Sequence, residues 1–508
     1  MKNKGAAEFK FWLWWLGIRP QKREEGNTLV IAIVLGLLLM VGTSISLLNS
    51  SRAKTNAKSS ESSQQAMAVA ELGVARVHDF LVRNPLLAMH NITQWDSLAG
   101  TTQTIGTFTN TSSGTSTCQN IVNASGVSPL TTTVGRFKTD GDLVEENNPR
   151  KGAIKVIDYR YEEIIPPASA TNGQVYAYGH LTVRGQINPT ANNVTEVFAD
   201  NPFASKSQVK VKIPLRKSNA PFSFPGVWIS NQAIGSPTNS IIQANLLVPN
   251  CNNMGLQIAS GYRVILSPVA SQFPPLPTPP ADTNPRYYNL GNITSSITLP
   301  RSTDEPIETE TVTHNGNTYQ VKVYKYRVNN ISLNGGERIT IIPGRKVVLH
   351  LYGNISLSGS QVMDNSCTSV PNSYTCNNNT KIVTYHPSGE QSVFRRENLV
   401  ILGYAQKTGP ATSTQPSICL AGGAEIFGFV FAPDYAVGAA GTGNGNGFTG
   451  AVWARLFNPP SVCGSNTGQV VVVQDITNWD FLEGVGIRMS NLPPKVDAIT
   501  QWERKEAN

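Results

Sequence analysis

Charge is in short supply in this chain: Lys, Arg, Asp and Glu make up 15% of its 508 residues, where soluble domains average roughly 25%. Gly, Asn, Ser and Thr fill the places left, a balance that favours an exported, β-rich, turn-rich body over a cytosolic enzyme. The six histidines (His78, His90, His180, His314, His350, His386) are scattered, with no H-E-x-x-H and no acid at ligand spacing, so each reads as a surface or packing residue and no metal site is expected. No G-x-S-x-G elbow and no Walker lysine behind a glycine loop occur, which removes two large enzyme classes. The absence of C-x-x-C removes zinc and thioredoxin-like readings. Nor is there a long basic run. VKVKIPLRK at 209–217 alternates as a strand with solvated lysines, and the net charge of +8 is modest for this length, so nucleic acid is not an expected partner.

Two further motifs are weaker than they look. GNGFTG, Gly445 to Gly450, matches G-x-G-x-x-G, but the AVWARLF that follows reads as a strand. A pyrophosphate needs the N-terminus of a helix there, so no cofactor is expected. The dense acidic run Asp304, Glu305, Glu308 and Glu310 reads as a solvated loop. A polysaccharide-cleaving solenoid would need acids clustered on one face, and a fold alone makes no enzyme. The expectation is a non-catalytic protein, with such an enzyme the remote alternative.

What the chain has in abundance lies near its start. About 20 nearly uninterrupted apolar residues, Leu29 to Leu48, are long enough to cross a bilayer as a helix, with Leu29, Ile31, Leu35, Leu38, Val41 and Leu48 supplying packing surface. Lys and Arg ahead of this run lie in a short leader, and FKFWLWWLGI within that leader is too short to span. The segment behind it, to Arg83, holds no proline and one glycine, Gly73. Ala70, Gly73, Val74, Val77, Phe80 and Leu81 fall on one helical face, and Asn84-Pro85 ends the helix. The spacing predicts one rod from Asn27 to Arg83, on the order of 80 Å long. A secretory signal peptide fits poorly, since the apolar run is too long and no small-x-small site punctuates it before Gly42-Thr43-Ser44; an uncleaved signal anchor remains the alternative.

This layout resembles a type IV pilin or pseudopilin, and most closely the PilX-type N-terminal family, on a basic leader ending in Gly26, the apolar LVIAIVLGLLLMVG, and AMAVAELGVARV at the far end. The resemblance covers roughly the first 85 residues. It implies cleavage by a prepilin peptidase after Gly26 and methylation of the new N-terminus, Asn27. It also implies storage in the inner membrane as a single-pass helix with a cytoplasmic N-terminus, an assembly platform and other pilins as partners, and display in the periplasm or on a cell-surface filament. Arg52, Lys54 and Lys58 flank the far side of the span, so orientation rests on the resemblance rather than on charge. Most major pilins carry a glutamate where this chain has Ile31, and a subunit lacking it resembles minor or tip pseudopilins. Cyanobacterial pseudopilins of hormogonium polysaccharide export and gliding look similar too, which makes an extracellular polysaccharide a candidate partner.

Beyond the rod about 420 residues remain, enough for two or three domains. Residues 86–150 read as loop and short strand. AIKVIDYRYEEI, QVYAYGHLTVRGQI and SQVKVKIPLR read as strands. With 86–220 taken as one region, they suggest a small antiparallel sheet packed on Val74, Val77, Phe80 and Leu81, or else an independent domain. Residues 268–285 are a Pro-rich linker or strap. Apolar runs near Ile331, Ile355, Leu399, Ile426, Val452 and Val471 recur at intervals suited to a parallel β-helix across 221–480, with a β-sandwich as the alternative. Residues 481–508 read as a tail. All six cysteines lie beyond the rod, which suggests disulfides. Cys367 with Cys376, Cys419 with Cys463 and Cys118 with Cys251 are one pairing of fifteen, and buried free thiols are the other possibility. Tyr319, Tyr324, Tyr326 and Tyr352 are candidates for an exposed aromatic row, which would favour an adhesin or polysaccharide-binding head. The fold class expected is α+β.

Overall fold

The computed structural model describes residues 27–506, except 97–105, 126–129, 168, 200–203, 219–222, 232–239, 252–254, 272, 360–361, 407–414, 440–445, 458–461, 464–469 and 488–492. The chain divides into two compact units, residues 1–65 and 66–508. The described part of the first is helix alone. The helix itself is unbroken over 57 residues, Asn27–Arg83, about 85 Å at 1.5 Å per residue. Its last carbonyls are met at Asn84, whose backbone N–H and side-chain amide both donate to the Phe80 carbonyl at 2.9 Å. The second unit is β-rich, and the class is α+β.

An antiparallel sheet of Ala153–Glu163, Val175–Ile187 and Ser205–Arg216, with Asp142–Leu143 at one edge, packs on the last turns of the helix. Strict alternation makes this possible: Val209, Val211 and Ile213 are buried toward the helix while the lysines between them turn away. Ala66, Ala70, Val74, Val77, Phe80 and Leu81 meet Ile154, Leu181, Val183 and Val211 in one core. Two glycines set the distance. A Cβ at Gly185 would stand 2.4 Å from the Ala70 nitrogen and 2.5 Å from the Ala66 oxygen, and one at Gly73 would meet Ile154 and Val183 side chains at 2.8 Å.

The supposed tail, 481–508, is ordered in two places: Phe481, Leu482, Val485 and Ile487 pack with Trp453 and Phe429 of the inserted region, and residues 495–506 join this sheet. Lys495–Val496 and Gln501–Glu506 pair antiparallel with Ser205–Arg216. Everything between Arg216 and Lys495 is therefore inserted between two paired strands.

That insertion supplies 18 strands of a 20-stranded, mostly parallel sheet in which strands stack on one another. One ladder runs Tyr326, Leu349, Ile401, Val430, Val452, Val227, Leu246, Val264. Its side chains form the stack interior. The spatial order is not the chain order. Val227–Ile229 stacks on Val452 to Ala454, so the first strands of the insertion follow the last ones. Gly106–Thr109 and Ser116–Thr117 close the end beyond Arg263–Leu266 as antiparallel strands. Residues 106–125 thus belong with the stack rather than with the sheet region 86–220 in which their sequence pattern placed them.

The permuted order explains the Pro-rich stretch. Arg263–Leu266 and Tyr287–Ile293 lie at opposite ends of the ladder, eight strand steps apart, roughly 38 Å at about 4.8 Å each. Residues 268–285 run back along the stack as a strap: Trp228 Nε1 donates to the Ala270 carbonyl at 2.8 Å, Phe273 packs on Trp228 and Phe431, the Tyr404 hydroxyl donates to the Pro277 carbonyl at 2.5 Å, and Asp282 pairs with Arg327 at 2.8 Å. An extended proline-rich chain suits that path, since it needs no ladder partner of its own. Between Asp364 and Arg396 a three-stranded antiparallel sheet, Tyr374–Cys376, Ile382–Tyr385 and Gln391–Val393, interrupts the stack.

Candidate functional site

Ile31–Lys54 is long and apolar enough to cross a membrane, with a mean hydropathy of 2.5 and none of it buried. Twelve large apolar side chains between Ile31 and Leu48 stand 44–71% exposed, among them Ile31, Leu35, Leu38, Val41 and Leu48. Full burial of such a side chain is worth about 1.5–3 kcal/mol. Leaving twelve of them half in water forfeits on the order of 10 kcal/mol, as much as a whole domain's stability. This surface needs lipid or other helices around it. Its polar groups make no competing demand: Thr43 Oγ1 donates to the Leu39 carbonyl at 2.9 Å and Ser44 Oγ to that of Met40 at 2.7 Å. No acid stands in the first turn, and the first charge after Asn27 is Arg52. Asn27 opens the helix and Leu29 lies in its first turn; Gly26 lies outside the described residues.

The far end of the same helix is fixed in the second unit. Val74, Val77 and Leu81 are fully buried and Phe80 nearly so, its ring 5.3 Å from that of Phe137. The sequence face missed Ala66 and Val69, which extend it by one turn and are buried as well; their i−4 spacing from Ala70 and Gly73 was the available signal. Polar clasps flank the apolar seam. Arg76 donates to Asp142 Oδ2 at 2.9 Å and to the carbonyls of Leu143 and Val144 at 2.7 and 2.6 Å, and Arg136 also holds Asp142. Arg504 reaches Glu71 at 2.6 Å, and His78 Nε2 lies 2.8 Å from the Asp497 carbonyl. The returning C-terminal strand therefore grips the helix directly, which no local pattern announced.

Other candidates resolve into structure. Cys118–Cys251, Cys367–Cys376 and Cys419–Cys463 are disulfide-bonded, with Cα separations of 5.5, 5.3 and 5.4 Å. The acidic run is loop at Asp304 and Glu305 and strand at Glu308 and Glu310, with Glu305 and Glu308 exposed. Asp304 pairs with nearby Arg301, while Glu305 pairs with Arg286, Glu308 with Lys325 and Glu310 with Lys346, cations more distant in sequence. Burial works to raise the Asp304 carboxyl, but hydrogen bonds from Arg301 and the Tyr326 hydroxyl hold it below its usual range. The four tyrosines form no exposed row: Tyr319, Tyr324 and Tyr326 are buried, and Tyr352, half-buried, stacks on Tyr404 at 5.4 Å with Arg327 4.6 Å above it. His350 is buried between Tyr287 and Tyr404, and burial followed by the nearby Lys325 charge pushes its imidazole down to about 3. Asn446–Phe457, after the glycine loop, is a strand. A cleft of about 930 Å³ between the helix end and the stack edge is lined by Arg76, Phe80, Arg83, Phe108, Arg136 and Ile265 among others. Among its described lining residues there is no histidine, cysteine or lysine. Among the described residues, no group of three or more His, Cys, Asp or Glu side chains could hold a metal ion.

No family model and no curated protein sequence matches this chain. Among solved structures it is similar to the competence-associated pilin ComZ from Thermus thermophilus. The two are 10% identical, the match covers 88% of this chain and 98% of that one, and the TM-score is 0.24. A TM-score of that size reflects no backbone shared over the whole length, so what this chain does has to come from its own residues.

Proposed function

We propose that this chain is a non-catalytic, pilin-like subunit of the minor pilin or pseudopilin kind, with a PilX-type N-terminus. A prepilin peptidase cuts after Gly26, Asn27 becomes the mature N-terminus, and the helix is held in the inner membrane with its N-terminus toward the cytoplasm. An assembly platform then draws the helix into a filament beside other pilins, at or near the tip, where Ile31 makes no demand for a buried counter-charge. The parallel stack is the displayed head, of β-helix type, and acts outside the cell, where disulfides persist.

One observation carries this reading: a single helix combines an apolar first half that water cannot support with a last third locked into a folded sheet. A signal peptide needs no such continuity, and a soluble domain would not leave that surface bare. The test is the mass of the mature N-terminus in cells. A methylated Asn27 is expected, whereas an intact Met1 refutes the assignment. Gly26→Val should keep the leader attached and exclude the protein from any filament; normal incorporation of that variant would be equally fatal.

A further inference from the structure

The antiparallel sheet has a second face, turned away from the helix. Because Val209 and Val211 point inward, Lys210 and Lys212 point outward. The register lines Arg160 up with His180 and Lys212, and Asp158 with Thr182, Lys210 and Glu503; Arg184 and Lys505 flank Gln208 in the next row. The Lys212 ammonium lies 3.7 Å above the Tyr178 ring on this same face. Cations here stand about 6.8 Å apart along a strand and about 4.8 Å apart between strands.

Several of them lack an acidic partner, although His180 on this face pairs with Glu162. In the parallel stack, by comparison, Lys325, Arg345, Lys346 and Arg396 are each neutralised, by Glu308, Glu390, Glu310 and Asp475. On the sheet face Arg160, Arg184, Lys210 and Lys505 have no carboxylate at ion-pair distance among the described residues. Arg184 Nε, moreover, is shut off from solvent without a hydrogen-bond partner. No single stretch of sequence reveals this face, since its charges come from four strands.

We infer that this face binds an acidic polysaccharide, a chain carrying carboxylate or sulfate groups, and the inference rests on the reading that the protein acts outside the cell. Charge complementarity selects a polyanion, and the interruptions select its kind. Asp158, Glu162 and Glu503 stand among the cations. A duplex presents a phosphate charge every ~1.7 Å and is repelled by such acids. A glycan spaces its charges more widely and offers hydroxyls that donate to those carboxylates, while Thr182 and Gln208 meet others. The rows hold one aromatic ring, Tyr178, which is no stacking platform for bases.

The test uses the full mature chain in detergent, with polygalacturonate and chondroitin sulfate as probes, dextran as the neutral control and duplex DNA as the competing polyanion. Binding to at least one acidic glycan is expected, weakening steeply with salt, and dextran should not bind. The triple variant Arg184→Gln, Lys210→Gln, Lys212→Gln should bind at least tenfold more weakly, while the charge-keeping Arg184→Lys, Lys210→Arg, Lys212→Arg retains affinity. Unchanged binding by the neutralised triple, no binding to either acidic glycan, or tighter binding of DNA at equal salt overturns the inference. Filament incorporation is scored separately. An incorporated chain that ignores both glycans sinks this inference and leaves the pilin reading standing.

Discussion

Gly185→Ala tests how closely the helix must lie on its sheet. The new methyl would sit 2.4 Å from one backbone atom of the helix and 2.5 Å from another, where ordinary contact is about 3.5–4.0 Å. Neither the Ala66 oxygen nor the Ala70 nitrogen can swing aside as a side chain would, so the helix must lift by roughly 1 Å. Ala66, Ala70 and Val74 are fully buried along that line, and lifting them opens the seam on both sides. Overpacking of this kind costs about 1–3 kcal/mol, and the stiffer unfolded chain returns about 0.4–1 kcal/mol. A net loss of about 1–2 kcal/mol is expected, or roughly 4–8 °C in the melting temperature at about 4 °C per kcal/mol for a lobe of this size. Thermal unfolding followed by tryptophan fluorescence reads it directly, since Trp95 is buried in the same core. Gly114→Ala, at a site with nothing within 4 Å, is the control and should stay within about 0.5 kcal/mol. If Gly185→Ala melts with the control, the sheet and the helix do not meet backbone to backbone at Gly185, and the docking of the helix rests on something else.

Two other outcomes follow from the stack. Replacing Cys118 and Cys251 together with alanine removes a cross-link spanning 133 residues. A cost of about 2–4 kcal/mol is expected, seen as faster proteolysis within 106–125 while the antiparallel sheet keeps its own melting temperature. Buried His350 faces the Tyr287 hydroxyl, 3.0 Å from Nδ1, the Tyr404 ring and the charge of Lys325. Its folded value of about 3 lies below the unfolded 6.5, so the unfolded chain takes up the proton first. This stabilisation is complete above about pH 6.5 and is lost as pH falls toward 3, on the order of 5 kcal/mol in all. His350→Gln should flatten the stability–pH curve in that window; an unchanged slope by denaturant titration would count against the buried neutral imidazole.

Much of this was legible because it is local. Val74, Val77, Phe80 and Leu81 share a face by spacing alone, and the three long strands before Arg216 show themselves by alternation, which needs no partner to be read. The parallel stack was harder. The interruption at 374–393 and loops of unequal length break its period, and nothing in a linear pattern says that Val227 sits on Val452. Tyr319, Tyr324 and Tyr326 looked like surface residues because a tyrosine has a polar tip, yet the Tyr326 tip is satisfied internally by Asp304. The pairings of Glu305, Glu308 and Glu310 were hidden because their cations, Arg286, Lys325 and Lys346, lie 17 to 36 residues away. Strand 501–506 passed for a tail because its partner lies nearly three hundred residues earlier.

The position of the seam between Val227 and Val452 governs the order in which the head can mature. As the polypeptide emerges from the ribosome, residues 227–266 appear long before the strands that must lie beneath them, and their lower edge stays open through some two hundred further residues. The stack cannot be sealed piece by piece from one end; closure waits for the last strands to be made. A chain cut short between residues 432 and 446 would lack the strand that bears Val452 and leave two unfinished halves with bare edges.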